Sequence, residues 1–290
     1  DVFQLIGLDL GILFILPVLS HVPISIRIPD VEVGISGEVD VNMKDKMRRL
    51  IVLFYNLVVL KRTRMIVCPS DSVKRDASHF FKVNPNRLKV IRNFIPKMFF
   101  MKRERVHSEE RETTLIYAGR LTERKGIKLL LNAFKRISKQ YPHTKLLLVG
   151  EGPLFENAVK ISESELKGKL EVVSKQRLEG LRDFMSVSDI FVLPSFHEGL
   201  SNSLLQAMAS GLAVVASDTP YNRDVVLDGF NGLMFRKGDE EDLYKAIKLL
   251  LDNADLMEHV QNNAKKTIIE DFLSDNIYEQ YCKGFIELLD

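Results

Sequence analysis

The residues best suited to chemistry in this sequence lie around one polar turn. Glu198 and Gly199 follow an apolar run of strand-forming residues, and Asn202 and Gln206 come soon after the turn at a spacing of four. Residues four apart share one face of a helix, and their side chains lean back toward its N-terminus. A carboxylate, a glycine loop, the free N–H groups of a helix start and a polar helical face together suit a polyol and an anion.

The segment around this turn, 188–218, predicts a strand, a loop, a helix and a second strand. The apolar run at 190–193 is the first strand, a helix covers 202–210 with Gly211 as its C-cap, and 212–216 is the next buried strand. Units of this kind build a parallel sheet, in which ligands bind at the carboxyl ends of the strands.

Two cations follow another predicted strand, at 114–118. Gly119, Arg120 and Lys125 lie in the sequence YAGRLTERKG, just ahead of a predicted helix. A diphosphate needs charge neutralisation and oriented N–H donors, which this arrangement would supply.

A pair of glycines, Gly150 and Gly152, follows the strand predicted at 144–149. Glycines serve any tight turn, so this pair alone is weak evidence for a nucleotide. The sequence lacks the third glycine and the following acid of a dinucleotide fingerprint, which argues against NAD.

Regular alternation of strands and helices predicts a doubly wound α/β domain over 112–270. Residues 1–111 predict a partial Rossmann-like domain, and 271–290 a C-terminal helix that packs back toward it. The strands predicted in the larger domain lie near 114–118, 144–149, 169–173, 189–193, 213–216 and 232–235.

The first 28 residues are apolar enough to suggest a membrane span. An acid, a proline and a histidine interrupt them, and no charged segment precedes them as in a signal peptide. We interpret them as a strand at about 2–6, a helix at 8–18 and a buried strand at 23–28. Because the sequence opens directly in an apolar strand, we expect that a part upstream is missing.

A basic amphipathic helix is predicted over 43–62, with cations at both ends of an apolar centre. It fits peripheral docking on an anionic membrane surface. It fits burial against the sheet equally well, because its centre is apolar nearly all round. A strand at 65–69, a helix at 71–81 and a strand at 88–91 follow, and the charged stretch 93–113 predicts a solvated linker.

The composition is that of an ordinary soluble globular protein, with 46% hydrophobic and 28% charged residues among 290, a length that suggests two domains. The net charge of +2 hides an asymmetry, because residues 1–100 carry 15 Lys and Arg against 9 Asp and Glu. Neither half has the basic, aromatic-interleaved motifs of a nucleic-acid binder, so we expect no nucleic-acid partner.

The two cysteines and six histidines show no disulfide framework and no zinc-site spacing. The sequence therefore predicts no metal, and a reducing, cytoplasmic setting. Cys68 lies in an apolar strand and is interpreted as core. His197 adjoins Glu198, but Ser195 and His197 have no acid arranged to complete a triad, so we interpret His197 as a loop or rim residue.

Together, the polar turn, the two cations and the glycine pair resemble the donor site of retaining glycosyltransferase family 4 (glycosyl transferases group 1), whose signature has two glutamates flanking seven residues. Its two positions fall on Glu198 and Gln206, so the second acid is an amide here. The resemblance implies a GT-B fold, with two Rossmann-like doubly wound domains. We expect the N-terminal one to be incomplete, because an upstream glycine-rich loop of the family is not in this sequence. Either the chain is a fragment, or its first domain is reduced.

The resemblance also implies roles for individual residues. Arg120 and Lys125 would hold the pyrophosphate of a nucleotide diphosphosugar, Glu198 would contact the transferred sugar, and Gln206 would hold the ribose. An amide in place of a carboxylate would cost about 1 kcal/mol, roughly fivefold in donor affinity. The nucleobase would lie at the turn around Ser174, and its identity stays open between uracil, guanine and adenine. The other donor-binding residues implied are Gly119, Gly150, Gly152, Gly199, Leu200, Ser201 and Asn202.

The expected function is retaining transfer of a hexose to an acceptor hydroxyl, without metal or cofactor, on a glycan or lipid-linked acceptor in cell-surface polysaccharide or glycolipid assembly. The expected location is cytoplasmic, with a possible peripheral contact at the membrane through 43–62. Two alternatives stay open. One is a non-catalytic nucleotide-sugar-binding or partner subunit, which the amide at Gln206 favours. The other is a sugar-nucleotide epimerase of the same fold.

Overall fold

The computed structural model describes two short strands, Phe3–Ile6 and Ile24–Arg27, the ranges 65–81, 83–100 and 112–273, and positions 277, 279 and 282. The chain forms two compact units. One comprises Asp1–Asn93 with Asp275–Asp290, and the other comprises Phe94–Ser274.

The first unit contains a parallel sheet in the order β1-β2-β3-β4. Its strands are β1 (Phe3–Ile6), β2 (Ile24–Arg27), β3 (Met65–Cys68) and β4 (Leu88–Val90), and helix α1 (Asp71–Phe81) joins the last two. These four strands and α1 confirm the predicted elements. The helices predicted at 8–18 and 43–62 lie outside the described residues.

Strand β3 is buried along its whole length, as expected of a parallel strand covered on both faces. Cys68 is fully buried within it, which confirms its interpretation as a core residue. Met65 and Val67 form a small core with Ile91 and Ile277.

The second unit contains a parallel sheet in the order β10-β9-β8-β5-β6-β7. All six strands predicted from the sequence are present, each within one residue of its predicted bounds. They are β5 (Thr113–Ala118), β6 (Thr144–Val149), β7 (Leu170–Val173), β8 (Ile190–Leu193), β9 (Ala213–Ser217) and β10 (Leu233–Phe235).

Helices connect these strands, and two longer helices close the unit. They are α2 (Ile127–Gln140), α3 (Phe155–Glu163), α4 (Leu178–Ser186), α5 (Asn202–Ala209), α6 (Pro220–Arg223), α7 (Glu240–Asp252) and α8 (Ala254–Asp271). None of the helices among the described residues is long and apolar enough to cross a membrane.

The prediction of a solvated linker over 93–113 is wrong for residues 94–100. Ile95 and Phe99 are fully buried in the core of the second unit, and the Ile95 N–H donates a hydrogen bond to the carbonyl of Phe272. The charged residues after position 101 dominated the prediction, although the stretch before them carries apolar side chains that pack against the sheet. Residues 101–111 lie outside the described part of the chain.

Candidate functional site

The order of the second sheet defines where a ligand should bind. The chain runs outward from β5 through β6 to β7 and then crosses to β8 on the other side of β5. At such a switch point the loops that follow β5 and β8 diverge and leave a crevice at the carboxyl edge of the sheet.

A cavity of about 710 Å³ opens at this edge. The loops after β5, β6, β7 and β8 all contribute to it, together with the first turns of α4 and α5. Its lining includes Gly119, Arg120, Gly150, Glu151, Gly152, Lys175, Gln176, Leu178, Leu181, Glu198, Ser201, Asn202, Ser203 and Gln206.

Close backbone contact between the loops after β5 and β6 forms one wall. A Cβ atom on Gly150 would lie 1.8 Å from the carbonyl oxygen of Gly119. The Gly119 N–H also donates a hydrogen bond of 3.0 Å to the Val149 carbonyl. Only glycine fits at position 150, because any side chain would force the two loops apart.

Tyr117 anchors the turn that carries Arg120. Its ring is 1% exposed, and its hydroxyl donates a hydrogen bond of 2.9 Å to the Arg120 carbonyl. Burial raises the pKa of the Tyr117 phenol, and the negative charge of Glu198 adds to the effect. The phenol therefore remains a hydrogen-bond donor at every physiological pH, while Arg120 itself is exposed at the cavity.

Glu198 is held by two groups, one on each carboxylate oxygen. The Lys125 ammonium lies 2.6 Å from Oε1, and the Ser195 hydroxyl donates a hydrogen bond of 2.7 Å to Oε2. The Lys125 and Glu198 side chains are only 15% and 16% exposed, so this ion pair is partly shielded from water. The sequence predicts that Lys125 lies beside a diphosphate, and in the structure its ammonium forms an ion pair with Glu198.

The turns that carry Lys125 and Glu198 are tied to each other through the backbone. Gly126 has a φ of +72°, and a Cβ there would lie 2.1 Å from the carbonyl oxygen of Pro194. The Phe196 N–H donates a hydrogen bond of 2.9 Å to the Arg124 carbonyl. These two contacts bring the loops after β5 and β8 together, although Lys125 and Glu198 are 73 positions apart in the sequence.

Helix α5 presents the polar face predicted from the spacing. Its N-cap is Ser201, whose hydroxyl accepts a hydrogen bond from the Leu204 N–H, and Gly211 ends it in the left-handed conformation. Asn202 and Gln206 both line the cavity, Asn202 exposed and Gln206 only 7% exposed. Leu204, Leu205, Met208 and Ala209 of the same helix are fully buried.

The remaining predicted site residues flank this lining. Gly199 and Leu200 are buried between Glu198 and the helix start. Ser174 is exposed just after β7, beside the lining residues Lys175 and Gln176. His197 is exposed in the loop next to Glu198.

Sequence reasoning missed several residues of the cavity and one residue behind it. Glu151 and Ser203 adjoin predicted residues, and Lys175, Gln176, Leu178 and Leu181 follow the predicted base turn. Leu178 and Leu181, two apolar residues in the first turn of α4, are the sequence feature that could have predicted this part of the cavity. Ser195 lies three residues before Glu198, and its hydroxyl donates a hydrogen bond to that carboxylate. Among the described residues, no three His, Cys, Asp or Glu side chains are grouped to hold a metal ion.

Comparison with known proteins identifies the class. Residues 99–267 match the family described as Glycosyl transferases group 1. Since the match covers more than half of the sequence, the chain belongs to this family.

Similar curated proteins include several glycosyltransferases. The chain is 27% identical to an uncharacterized glycosyltransferase of Methanocaldococcus jannaschii over 264 residues, which are 88% of this chain and 67% of that protein. It is 27% identical to the lipopolysaccharide core biosynthesis glycosyltransferase LpsE of Rhizobium meliloti, over 78% of this chain and 65% of LpsE. It is 29% identical to the capsular polysaccharide biosynthesis glycosyltransferase CapM of Staphylococcus aureus, over 57% of this chain and 43% of CapM. The chain thus spans between 43% and 67% of the length of these relatives.

Solved structures show the same architecture. The chain superposes on Anabaena HepE, crystallised with UDP, with a TM-score of 0.77 at 16% identity, over 98% of this chain and 78% of HepE. It superposes on a sucrose-phosphate synthase from Thermosynechococcus elongatus with a TM-score of 0.80 at 20% identity, over 95% of this chain and 70% of that one. At these identities the likeness concerns the fold alone, which is the GT-B fold of glycosyltransferases.

Proposed function

We propose that this chain transfers a sugar from a nucleotide diphosphosugar to an acceptor hydroxyl with retention of the anomeric configuration. The observation that carries the proposal is Glu198, fixed by Lys125 and Ser195 at the switch-point cavity that Arg120 also lines. Arg120 could bind a diphosphate, and the partly shielded Glu198 carboxylate could bind sugar hydroxyls. Both side chains line the same cavity.

The proposed reaction breaks the bond between the anomeric carbon and the β-phosphate oxygen of the donor. A new bond forms between that carbon and the acceptor oxygen on the same face, and the acceptor proton passes to the departing diphosphate. Charge builds on the diphosphate as the bond breaks, and preorganised donors at that position stabilise the transition state. Arg120, which lines the cavity, and the N–H groups at the start of α5 would take that role.

Lys125 also affects the charge next to the departing diphosphate, because it is paired with Glu198. Its ammonium forms the ion pair with Oε1 at 2.6 Å, so the two side chains together carry no net charge. A bound diphosphate would attract the ammonium as well, and Lys125 would then be shared between the leaving group and the carboxylate. No metal and no cofactor is part of this proposal.

The other end of the cavity suits a nucleoside. Gln206 offers an amide to the ribose hydroxyls, and Leu178 and Leu181 offer an apolar surface to a base, next to the hydrogen-bonding groups of Lys175 and Gln176. UDP is the first nucleotide to test, because HepE and the S. aureus protein TarM were crystallised with it.

The acceptor is proposed from the relatives. LpsE and CapM act in lipopolysaccharide core and capsular polysaccharide biosynthesis by their names. We propose a glycan or lipid-linked acceptor of this kind, reached at the cytoplasmic face of a membrane. Sedimentation of the protein with anionic vesicles at low salt would support the membrane contact. A protein that stays in the supernatant would refute it.

The test begins with calorimetric titrations of UDP, GDP and ADP, followed by turnover assays with UDP-glucose, UDP-galactose and UDP-N-acetylglucosamine. We expect Glu198→Gln to keep nucleotide affinity within about twofold and to lower turnover by roughly 100-fold or more. Glu156→Gln, an exposed acid on α3, is the matched control and should change neither. Equal turnover by Glu198→Gln and wild type would refute the proposal.

A non-catalytic nucleotide-sugar-binding subunit is the second candidate, and Gln206 is the observation that favours it. It would bind a nucleotide diphosphate without turning over any sugar conjugate. An epimerase of the same fold would consume the donor without an acceptor, so product analysis separates it from a transferase.

A further inference from the structure

A buried row of polar side chains lies behind Glu198. Ser195 and Ser217 are fully buried, and Asn222 is 1% exposed. The Ser195 hydroxyl donates to Glu198, the Ser217 hydroxyl donates a hydrogen bond of 2.6 Å to the Ser195 carbonyl, and the Asn222 amide donates one of 2.8 Å to the Ser217 carbonyl. None of these three residues is among those that line the cavity, and Ser195 is the one of the three that contacts Glu198.

The bond from Ser195 to Glu198 belongs to a strong class. A hydroxyl that donates to a carboxylate at 2.7 Å is charge-assisted, and such bonds are about twice as strong as neutral ones. Because Ser195 is fully buried, its hydroxyl would lose a partner that water could not replace if Glu198 turned away.

Two contacts on different oxygens fix the plane of the Glu198 carboxylate. The terminal torsion of a glutamate is broad and easily turned when nothing holds it. Here Lys125 holds Oε1 and Ser195 holds Oε2, so rotation of the carboxylate breaks one contact or both. The remaining lone pairs of the two Glu198 oxygens, which can accept hydrogen bonds from a ligand, then point in one fixed direction.

The position of Ser195 is itself set by the neighbouring strand. Ser217 is the last residue of β9, and its hydroxyl holds the Ser195 carbonyl just after β8. Asn222 lies in α6, which Thr219 caps, and its amide fixes the end of β9. Ser195 and Glu198 lie in the same loop, and the bond from Ser217 ties that loop to the buried end of β9.

We propose that Ser195 is a positioning residue for the transfer reaction, which holds the Glu198 carboxylate in the orientation that receives the donor sugar. This inference rests on the proposed function. It assigns a role to a buried side chain that is not among the residues lining the cavity.

The first test compares Ser195→Ala with Ser210→Ala. Ser210 is an equally buried serine whose hydroxyl has only a 3.9 Å contact with the sulfur of Met185. Loss of a charge-assisted hydrogen bond predicts that Ser195→Ala lowers turnover by about 10-fold or more, while its affinity for UDP stays within about twofold of wild type. Ser210→Ala should change neither quantity. Equal turnover by Ser195→Ala and wild type, or a loss of UDP affinity as large as the loss of turnover, would overturn the proposal.

The second test asks whether Ser195 acts through Glu198. Ser195→Ala is introduced into a Glu198→Ala background, and the residual turnover of the single and double variants is compared. We expect the serine substitution to change the residual turnover less than about twofold, because its target is already gone. A further loss as large as that in wild type would assign Ser195 a role independent of Glu198 and overturn the proposal.

Failure of the proposed function would give a different result from failure of this inference. If wild type binds UDP but turns over none of the three sugar conjugates, the transfer reaction is refuted and the role of Ser195 falls with it. The Ser195–Glu198 hydrogen bond is then measured from the unfolding equilibria of four proteins: wild type, Ser195→Ala, Glu198→Ala and the double variant. Non-additive changes in the unfolding constant, by about fivefold or more, are expected if the bond forms, and additive changes would show that it does not.

Discussion

Gln206 departs most visibly from the signature that this chain resembles, because an amide stands where that signature has a second glutamate. The side chain is 7% exposed and lines the cavity from the first turns of α5. A neutral amide forms weaker hydrogen bonds to hydroxyls than a carboxylate does. Glu198, at the other end of the same motif, forms an ion pair with Lys125. If the proposed function holds, the change at position 206 would weaken contact with the ribose and leave contact with the sugar unaffected.

The first prediction restores the acid at this position. We expect Gln206→Glu to raise the affinity for UDP by about fivefold, since a carboxylate acceptor is worth roughly 1 kcal/mol more than an amide. Calorimetric titration of both proteins with UDP measures the change. Gln206→Leu, similar in size but without polar atoms, should weaken binding, and identical affinities for all three proteins would show that position 206 does not contact the ligand.

A second prediction concerns the hydroxyl of Tyr117. Its hydrogen bond of 2.9 Å to the Arg120 carbonyl fixes the turn that presents Arg120 to the cavity. We expect Tyr117→Phe to lower the free energy of unfolding by about 1 kcal/mol and the affinity for UDP by a few-fold. Denaturant titration and calorimetry measure the two effects. Tyr141→Phe removes a hydroxyl at the C-terminal end of α2, outside the cavity lining, and should leave UDP affinity unchanged. A Tyr117→Phe protein that binds UDP as tightly as wild type would show that the turn does not need this bond.

At the scale of elements, the site is built from loops that touch through their backbones. The loops after β5 and β6 meet at Gly119 and Gly150, and those after β5 and β8 meet at Gly126 and Pro194. Each contact leaves no room for a side chain, so the distance between loops is set by the main chain. These backbone contacts therefore set the distances between the polar residues of the cavity.

The third prediction tests one of these contacts. A methyl group on Gly150 would lie 1.8 Å from the Gly119 carbonyl oxygen, so Gly150→Ala must separate the two loops. We expect a loss of UDP binding of at least tenfold and a fall in the thermal unfolding midpoint. Gly168→Ala is the matched control, since Gly168 has a φ of +74° and open space around its missing Cβ. Backbone strain of about 1–3 kcal/mol should lower its stability without changing UDP affinity, and equal binding by both variants would refute the argument.

In the molecule as a whole, the unit Phe94–Ser274 contains its own hydrophobic core and, among the described residues, every residue that lines the cavity. The buried cluster runs from Ile95 to Phe272 and includes all the central strands. No lining residue of this cavity comes from the described residues of the other unit. Nucleotide binding is therefore expected to belong to this unit, whereas transfer also needs an acceptor.

The fourth prediction follows from this division. We expect the fragment 94–274 to unfold cooperatively and to bind UDP within about threefold of the whole chain, because core and cavity lie within it. Thermal denaturation followed by circular dichroism tests the folding, and calorimetry tests the binding. A folded fragment that no longer binds UDP, beside a whole chain that does, would show that the other unit contributes to the nucleotide site.

The strands of the second unit could be predicted from the sequence almost to the residue. Each contains a short apolar run, and a glycine, a proline or a charged residue lies within two positions of each end. The apolar pattern and these boundary residues therefore predict the same bounds. The stretch 94–100 could not be placed in the same way. Its two buried side chains, Ile95 and Phe99, are too few to form a periodic pattern, and their burial depends on partners such as Phe272 that lie far along the chain.

The sequence alone predicts the helices and strands, the polar and apolar faces of the helices, and the strands whose carboxyl ends carry polar residues. It does so because these features depend on local spacing, as with Asn202 and Gln206 on α5. Only the tertiary structure decided that Lys125 and Ser195 hold the two oxygens of Glu198 and that Ser217 stands behind them. Lys125 and Glu198 lie on loops that follow different strands, and the direction of a side chain in a loop is set by close backbone contacts across the sheet rather than by any repeat in the sequence.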